Sequence, residues 1–308
     1  MQGLYCGKHG LYRLVYTRAH MITYIQAIIL GAIQGATELF PVSSLGHSII
    51  VPQLLDWKLD QNADFFLIFL VATHLATSLV LLGFYWKDWL KIISGMARSI
   101  FARGSSTSND PYARLGWLIV VATIPAGLLG LVFEHKLKML FASPLIVAGF
   151  LVLNGLMLFA AESLSRKSAS GDAPADHSDA EISGLSWMNA LKIGCAQTLA
   201  LLPGFSRTGA TLGGGLLVGL DHRNAARLSF LMATPIIMAA AVLKLPQLFT
   251  EWGSFPTGQI IAGSLAAAIG AYLSVAFLTR YFETRTLKTF ASYCLVIGSV
   301  ALVIFLTR

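Results

Sequence analysis

Charged residues and cysteines are both scarce in this sequence. Asp, Glu, Lys and Arg make up only 12% of the 308 residues, whereas 56% are hydrophobic. A soluble core cannot enclose that much apolar surface, so the composition indicates a polytopic membrane protein. The three cysteines, Cys6, Cys195 and Cys294, are scattered and form no Cys-x-x-Cys pair. Their spacing indicates neither a zinc site nor a disulfide framework.

Residues 1–20 lack the apolar run of a secretory signal peptide, although they include three basic residues. The hydrophobic pattern begins directly behind Met21. One interpretation is that Met21 is the natural start and that 1–20 is a leader foreign to the protein. The other is that these residues form a short amphipathic or disordered leader. The sequence leaves both open.

Six long apolar runs have the approximately 20 residues that are needed to cross the hydrocarbon core of a bilayer. They are Asp64–Tyr85, Ala113–Phe133, Pro144–Ala161, Ala225–Val242, Gln259–Leu278 and Lys288–Leu306. Two further segments, Gly31–His47 and Gly194–Gly215, are apolar but interrupted near the middle by Pro and Gly. Since neither half of these segments is long enough to cross, we predict that both are re-entrant helix pairs.

The two interrupted segments resemble each other. Both contain Gly-x-x-Gln followed by a Pro, and a Ser follows that Pro by three residues, at Ser44 and at Ser206. Three spans separate the copies, and an odd number of crossings inverts the second copy relative to the first. The sequence therefore predicts an all-α polytopic membrane protein with an inverted-topology repeat, six transmembrane helices and two re-entrant helix pairs.

Basic residues are distributed unevenly between the two sides of the predicted bundle. With the first span running inward, thirteen Lys and Arg lie at inner loops and inner ends, and four lie in outer loops. The positive-inside rule then places both termini outside, and it explains the net charge of +7 without a nucleic-acid partner. The predicted divisions are a leader at 1–20, one membrane domain at 21–308, repeats at about 21–162 and 187–308, and a polar cytoplasmic linker at 163–186.

Three ionisable residues, Glu38, His47 and Arg207, lie inside the interrupted segments. An ionisable side chain in the membrane costs about 2.5 to 3.5 kcal/mol on insertion scales, so a functional role is expected. The planar guanidinium of Arg207 suits phosphate oxygens, and the backbone N–H groups from Gly204 onward lie at a predicted helix N-terminus. Hydroxyl groups that are suited to donate to the same anion follow at Ser206, Thr208 and Thr211.

The first interrupted segment contains the candidates for proton transfer and attack. Ser44 is suited to attack phosphorus, with His47 three residues later to share its proton; alternatively, His47 activates a water molecule. Glu38 is suited to accept a proton, to orient the imidazole or to hold a divalent cation, and Gln34 to position that metal or a water. Ser44 is also expected to cap the helix that follows.

Several of these residues have a purely structural alternative. An amide such as Gln34 also holds membrane helices together. Hydroxyl side chains at helix breaks, here Thr37, Ser43 and Thr208, typically bond to the backbone. His74, inside the first span, is either a packing histidine or a part of the site.

At these two motifs the sequence resembles the bacterial undecaprenyl-diphosphate phosphatases of the bacitracin-resistance family. The family signature is (Glu or Gln)-x-x-x-Glu and Pro-x-Ser-Ser-x-Gly-His, followed later by Pro-Gly-x-Ser-Arg-(Ser or Thr)-Gly-x-Thr, and it matches residues 34–47 and 203–211 here. The similarity extends from Met21 to the C-terminus. Many members have Glu where this chain has Gln34, which weakens direct metal binding and favours a metal held jointly by Glu38 and the diphosphate.

The resemblance implies hydrolysis of undecaprenyl diphosphate to the monophosphate lipid carrier, at the outer face of the bacterial cytoplasmic membrane. It implies a requirement for Mg or Ca and roles in peptidoglycan synthesis and bacitracin resistance. A homodimer is one option for the oligomeric state. The resemblance implies catalytic or phosphate-binding roles for Glu38, Ser44, His47, Ser206, Arg207 and Thr211. Further candidates are Ser43, Gly204 and Thr208 for phosphate binding, and Gln34 together with Glu38 for the metal.

The alternative function is a carrier of polyprenyl phosphate or another anion. Inverted repeats with broken helices are typical of transporters, and a cavity that contains Arg207 would suit an anion in transit. A carrier needs an anion site but neither a nucleophile nor a base. The presence of Glu38, Ser44 and His47 in one stretch therefore favours the enzyme.

Overall fold

The computed structural model describes residues 22–61, 63–101, 110–141, 143–168, 179–250 and 256–308. Within these ranges the chain is all-helical and contains no β-strand, as predicted. The leader at 1–20 lies outside the described residues, as does the part of the predicted linker at 169–178.

The first half of the chain forms six helices. They are α1 (Tyr24–Leu39), α2 (Ser44–Leu54), α3 (Asp64–Phe84), α4 (Trp86–Phe101), α5 (Pro111–Phe141) and α6 (Pro144–Ser168). The second half begins with the short helix α7 and contains a 3₁₀ turn between α8 and α9. Its helices are α7 (Asp179–Ser183), α8 (Trp187–Gln197), the 3₁₀ turn (Thr198–Leu201), α9 (Arg207–Leu217), α10 (His222–Thr250), α11 (Thr257–Tyr281) and α12 (Lys288–Thr307).

The six predicted spans are confirmed. Among the described residues, six helices are long and apolar enough to cross a membrane, and their ends agree with the predicted ends to within four residues. They are Phe65–Phe84, Pro111–Phe133, Pro144–Ser165, His222–Leu243, Thr257–Tyr281 and Lys288–Thr307. The two interrupted segments form the short helix pairs α1–α2 and α8–α9, as their Pro and Gly residues predict.

A serine caps the second helix of each pair. In α2 the capping residue is Ser43, whose Oγ accepts a hydrogen bond from the N–H of Gly46 at 3.2 Å. The prediction that Ser44 caps this helix was wrong by one residue, because Ser43 has a left-handed φ of 66° and stays outside the helix that Ser44 begins. In α9 the Oγ of Ser206 accepts from the N–H of Gly209 at 3.1 Å.

Helix α1 packs very closely against α11. A Cβ atom added to Gly31 would lie 2.0 Å from the carbonyl oxygen of Gly263, and one added to Gly35 would lie 2.0 Å from that of Ala267. Small residues allow this backbone approach, which is the usual way in which membrane helices associate. The contact holds the polar end of α1 inside the bundle, where Glu38 is only 7% exposed.

Helix α4 was not predicted from the sequence. It follows α3 directly, buries Ile92 against the bundle and exposes both charged and large apolar residues. Arg98 near its end donates to Asp110 at 2.6 Å, and this hydrogen bond holds the pKa of Asp110 below its usual value. An amphipathic helix of this kind is typical of the membrane interface.

Candidate active site

The two helix breaks meet in the interior of the bundle. The hydroxyl of Thr208 donates to the carbonyl oxygen of Glu38 at 2.9 Å, and that of Ser206 donates to Phe40 O at 3.4 Å. Gly204 in the second break has a φ of 112°, and a Cβ atom there would lie 2.4 Å from Val147 O. Glycine is therefore required by both the backbone conformation and the space.

A third element, α6, joins the two breaks through one amide. The fully buried side chain of Asn154 donates to Pro41 O at 3.0 Å and accepts from the N–H of Ser206 at 3.0 Å. One side chain thus satisfies a backbone group in each break. The sequence analysis missed Asn154, although a lone amide in an apolar span is a signal that could have identified it.

Glu38 is the centre of the predicted site residues. Its Oε1 accepts from a guanidinium nitrogen of Arg207 at 2.8 Å. Its Oε2 accepts from the Oγ of Ser44 at 2.5 Å and from the Nε2 of Gln34 at 3.0 Å. The structure therefore brings together residues from both interrupted segments, as the motifs predict.

His74 belongs to the same cluster, which answers a question that the sequence left open. Its Nδ1 lies 2.7 Å from the carbonyl oxygen of Leu70, and its Nε2 lies 3.2 Å from Oε2 of Glu38. Because a carbonyl only accepts hydrogen bonds, Nδ1 must carry a proton. If the ring were neutral, Nε2 would carry a lone pair that faces the lone pairs of the carboxylate oxygen Oε2. The contact between Nε2 and Oε2 therefore requires a proton between these two atoms.

His47 does not contact the hydroxyl that the sequence assigned to it. Its Nδ1 lies 2.7 Å from Ser43 O, so this nitrogen donates, and its Nε2 accepts from the hydroxyl of Tyr293 at 2.8 Å. The two rings also stack, with an interplanar angle of 14°. Within the described part of the chain the hydrogen-bond partner of Ser44 is Glu38, and the expected pair with His47 is not formed.

Arg207 retains an unused donor in the site. While one terminal nitrogen bonds to Glu38, the other, NH1, is buried and has no hydrogen-bond partner among the described residues. A buried donor without a partner costs about 1 to 3 kcal/mol. A phosphate oxygen is the kind of acceptor that the planar guanidinium fork suits.

The hydroxyls that were predicted to bind phosphate already bond within the protein. Those of Ser43 and Ser206 cap α2 and α9, and that of Thr208 donates to a carbonyl of α1. The hydroxyl of Thr211 lies 2.5 Å from that of Ser229 in α10. These contacts agree with the structural alternative for hydroxyls at helix breaks, and the phosphate-binding roles stay a prediction.

The protein groups around Glu38 do not fit a divalent cation held by the free protein. Both carboxylate oxygens already accept hydrogen bonds, one of them from the guanidinium of Arg207. The described residues contain no cluster of three or more His, Cys, Asp and Glu that could hold a metal ion. The buried Oε1 of Gln34 has no hydrogen-bond partner within the described ranges, but one neutral oxygen is a poor substitute for several oxygen ligands.

Comparison with known proteins identifies relatives along nearly the whole chain. The undecaprenyl-diphosphatase of Mycolicibacterium paratuberculosis is 46% identical over 302 residues, which cover 92% of this chain and 98% of the relative. Undecaprenyl-diphosphatase 2 of Chromobacterium violaceum is 46% identical over 282 residues, covering 90% and 97%. The family described as bacitracin resistance protein BacA matches residues 27–300. By this match and these identities, the chain belongs to the bacitracin resistance protein BacA family.

Proposed function

We propose that this chain is a membrane hydrolase that converts undecaprenyl diphosphate to undecaprenyl phosphate and inorganic phosphate. Its relatives carry the name of this activity and are similar over almost their full length. The observation that carries the proposal is the contact between Ser44, Glu38 and Arg207, which combines a nucleophile, a base and a donor suited to phosphate. The carrier alternative is not favoured, since a carrier uses neither nucleophile nor base.

In the proposed reaction the Oγ of Ser44 attacks the terminal phosphorus. Glu38 takes the hydroxyl proton through its short contact with Oγ, and the new O–P bond forms as the bond to the bridging oxygen breaks. Undecaprenyl phosphate leaves. Water then cleaves the phosphoserine to release inorganic phosphate, and the serine hydroxyl is restored. Arg207 binds the oxygens on which negative charge develops.

His47 has a different role in this mechanism from the one that the sequence suggested. Its bonds to Ser43 O and to Tyr293 fix the first turn of α2, in which Ser44 lies. We therefore assign His47 as a positioning residue and Glu38 as the proton acceptor. A water molecule activated by Glu38 is the alternative nucleophile.

The proposal includes two re-entrant pairs in an inverted repeat, with the site open to the outer side of the bacterial cytoplasmic membrane. In support, Arg308 after the end of α12 donates to Gln53 O at 2.7 Å, so the C-terminus lies at the same end of the bundle as the turn after α2. The opposite end carries Lys87, Arg98 and Arg280, as expected for a cytoplasmic side.

The direct test is phosphate release from undecaprenyl diphosphate by the purified protein in detergent, with Mg²⁺ or Ca²⁺ supplied and with EDTA in a parallel reaction. We expect one phosphate for each lipid and a monophosphate lipid product. Arg207→Ala should remove the activity, whereas Arg285→Ala, at an exposed arginine between α11 and α12, should not. Folded wild-type protein that releases no phosphate would refute the proposed function.

A further inference from the structure

The position of His74 affects whether a divalent cation can bind beside Glu38 before the substrate does. The imidazole approaches Oε2 of Glu38 within 3.2 Å, beside the hydroxyl of Ser44. The other oxygen of Glu38 pairs with Arg207 at 2.8 Å. The carboxylate thus has a donor on each oxygen before any substrate binds, and at least one of the donors carries a permanent positive charge.

The residue at position 34 is consistent with this arrangement. Gln34 uses its amide nitrogen to donate to the same Oε2, so it adds a third donor to that oxygen and no negative charge to the cluster. A metal site would require several oxygen ligands that face one point, with few hydrogen-bond donors competing for those oxygens. The cluster is therefore built to hold a carboxylate without a metal.

We propose that His74 occupies the place beside Glu38 that a protein-bound divalent cation would need, so that a cation used in the reaction binds through the diphosphate of the substrate and not to the free protein. This inference rests on the proposed phosphatase function, but it concerns the protein before substrate binds. His74 is accordingly a positioning residue, which holds Glu38 by donating from Nε2.

The inference is tested by Mn²⁺ binding, which does not depend on turnover. Free Mn²⁺ is measured by electron paramagnetic resonance during titration of the purified protein in detergent. The wild type should show no stoichiometric site when alone, and it should bind Mn²⁺ when methylenediphosphonate is added as a non-hydrolysable diphosphate. Because methylenediphosphonate itself chelates Mn²⁺, the expected result is a loss of free Mn²⁺ beyond that in the same titration without protein.

The matched variant is Gln34→Glu combined with His74→Gln, which adds a carboxylate and removes the imidazole while keeping an amide donor at position 74. It should gain one Mn²⁺ per chain without diphosphonate, with an apparent affinity at least about tenfold above that of the wild type. Gln34→Glu alone should gain less, because the imidazole remains.

Two results would overturn the proposal. One is a stoichiometric Mn²⁺ site in the wild type alone that is lost in Glu38→Gln, since Glu38 would then be a metal ligand in the free protein. The other is a double variant that elutes as folded protein but gains no site, since His74 would then not be what keeps the cation away. Phosphate release by the wild type tests the proposed function separately, so the two failures are distinguishable.

Discussion

Glu38 accepts a hydrogen bond from the hydroxyl of Ser44 across 2.5 Å, whereas His47, three residues further along the same helix, bonds to Tyr293 instead. If Ser44 is the nucleophile, the base in contact with it therefore comes from the helix before the break. Glu38 also meets Arg207 at 2.8 Å. One carboxylate thus contacts both the proposed nucleophile and the residue proposed to bind phosphate.

If Ser44 is the nucleophile, Ser44→Ala should reduce the rate by roughly three orders of magnitude or more, because the attacking atom is lost. A transient phosphoserine should be trapped by rapid quenching with substrate labelled in its terminal phosphate. If Glu38 activates water instead, the loss of one hydrogen bond should cost about 0.5 to 1.5 kcal/mol, or about tenfold. Ser48→Ala, at a buried serine one turn further along α2, is the matched control.

The charge of Arg207 should not be sufficient for its function. Arg207→Lys keeps the positive charge but loses the planar fork that reaches both Glu38 and a phosphate oxygen, so most activity should be lost. Initial rates across substrate concentrations measure the effect, with Arg285→Lys as the control. A lysine variant with a near wild-type rate would show that two-point contact is not needed.

The positioning role proposed for His47 predicts graded losses of activity in a series of variants. Tyr293→Phe removes one hydrogen bond to the ring, so the rate should fall by about tenfold or less. His47→Asn keeps a donor that can reach Ser43 O and should retain more activity than His47→Ala. If Asn and Ala abolish the rate equally while Tyr293→Phe is harmless, the imidazole takes part in the chemistry.

Removal of the amide of Asn154 should destabilise the whole protein. Asn154→Leu is close in volume but leaves the N–H of Ser206 without its partner, and it leaves Pro41 O with only the long contact from the thiol of Cys294 at 3.9 Å. A buried group left unsatisfied costs about 1 to 3 kcal/mol. We expect a lower midpoint of thermal unfolding in detergent together with reduced activity. A variant with an unchanged midpoint would show that water replaces the amide.

The orientation of the bundle is open to direct measurement. In a background in which Cys6, Cys195 and Cys294 are replaced, Lys58→Cys should react with a membrane-impermeant thiol reagent in intact cells. Ser94→Cys in α4 should react only after the cells are opened. Both positions are exposed in the structure. The opposite labelling pattern would place the site on the cytoplasmic side.

The six spans and the two helix breaks could be predicted from the sequence, because apolar length and the Pro and Gly residues of a break are local properties of the chain. The contact between Glu38 and Arg207 joins the two interrupted segments, whose residues the family resemblance assigned to one reaction. The sequence could not predict which hydrogen-bond partner each of these side chains has. His47 lies three residues from Ser44, and only the packing of α12 against the bundle shows that its ring turns toward Tyr293.

Three other features could not be predicted from the sequence either. His74 reaches Glu38 because α3 packs beside α1, and no spacing along the chain indicates this. Helix α4 mixes charged and apolar residues, so it lacks the continuous apolar run by which membrane spans are identified in a sequence. The shift of the cap from Ser44 to Ser43 arises from a left-handed backbone angle that non-glycine residues rarely adopt.

The hydrogen bonds that Asn154 and Thr208 make between the breaks limit how the two halves can move. A transporter that rocks one repeat against the other would have to separate the Asn154 contact with Ser206 and the Thr208 contact with Glu38 O, and it would break the ion pair with Arg207 as well. The same contacts that bring Glu38 and Arg207 together therefore also oppose a rocking motion of one half against the other.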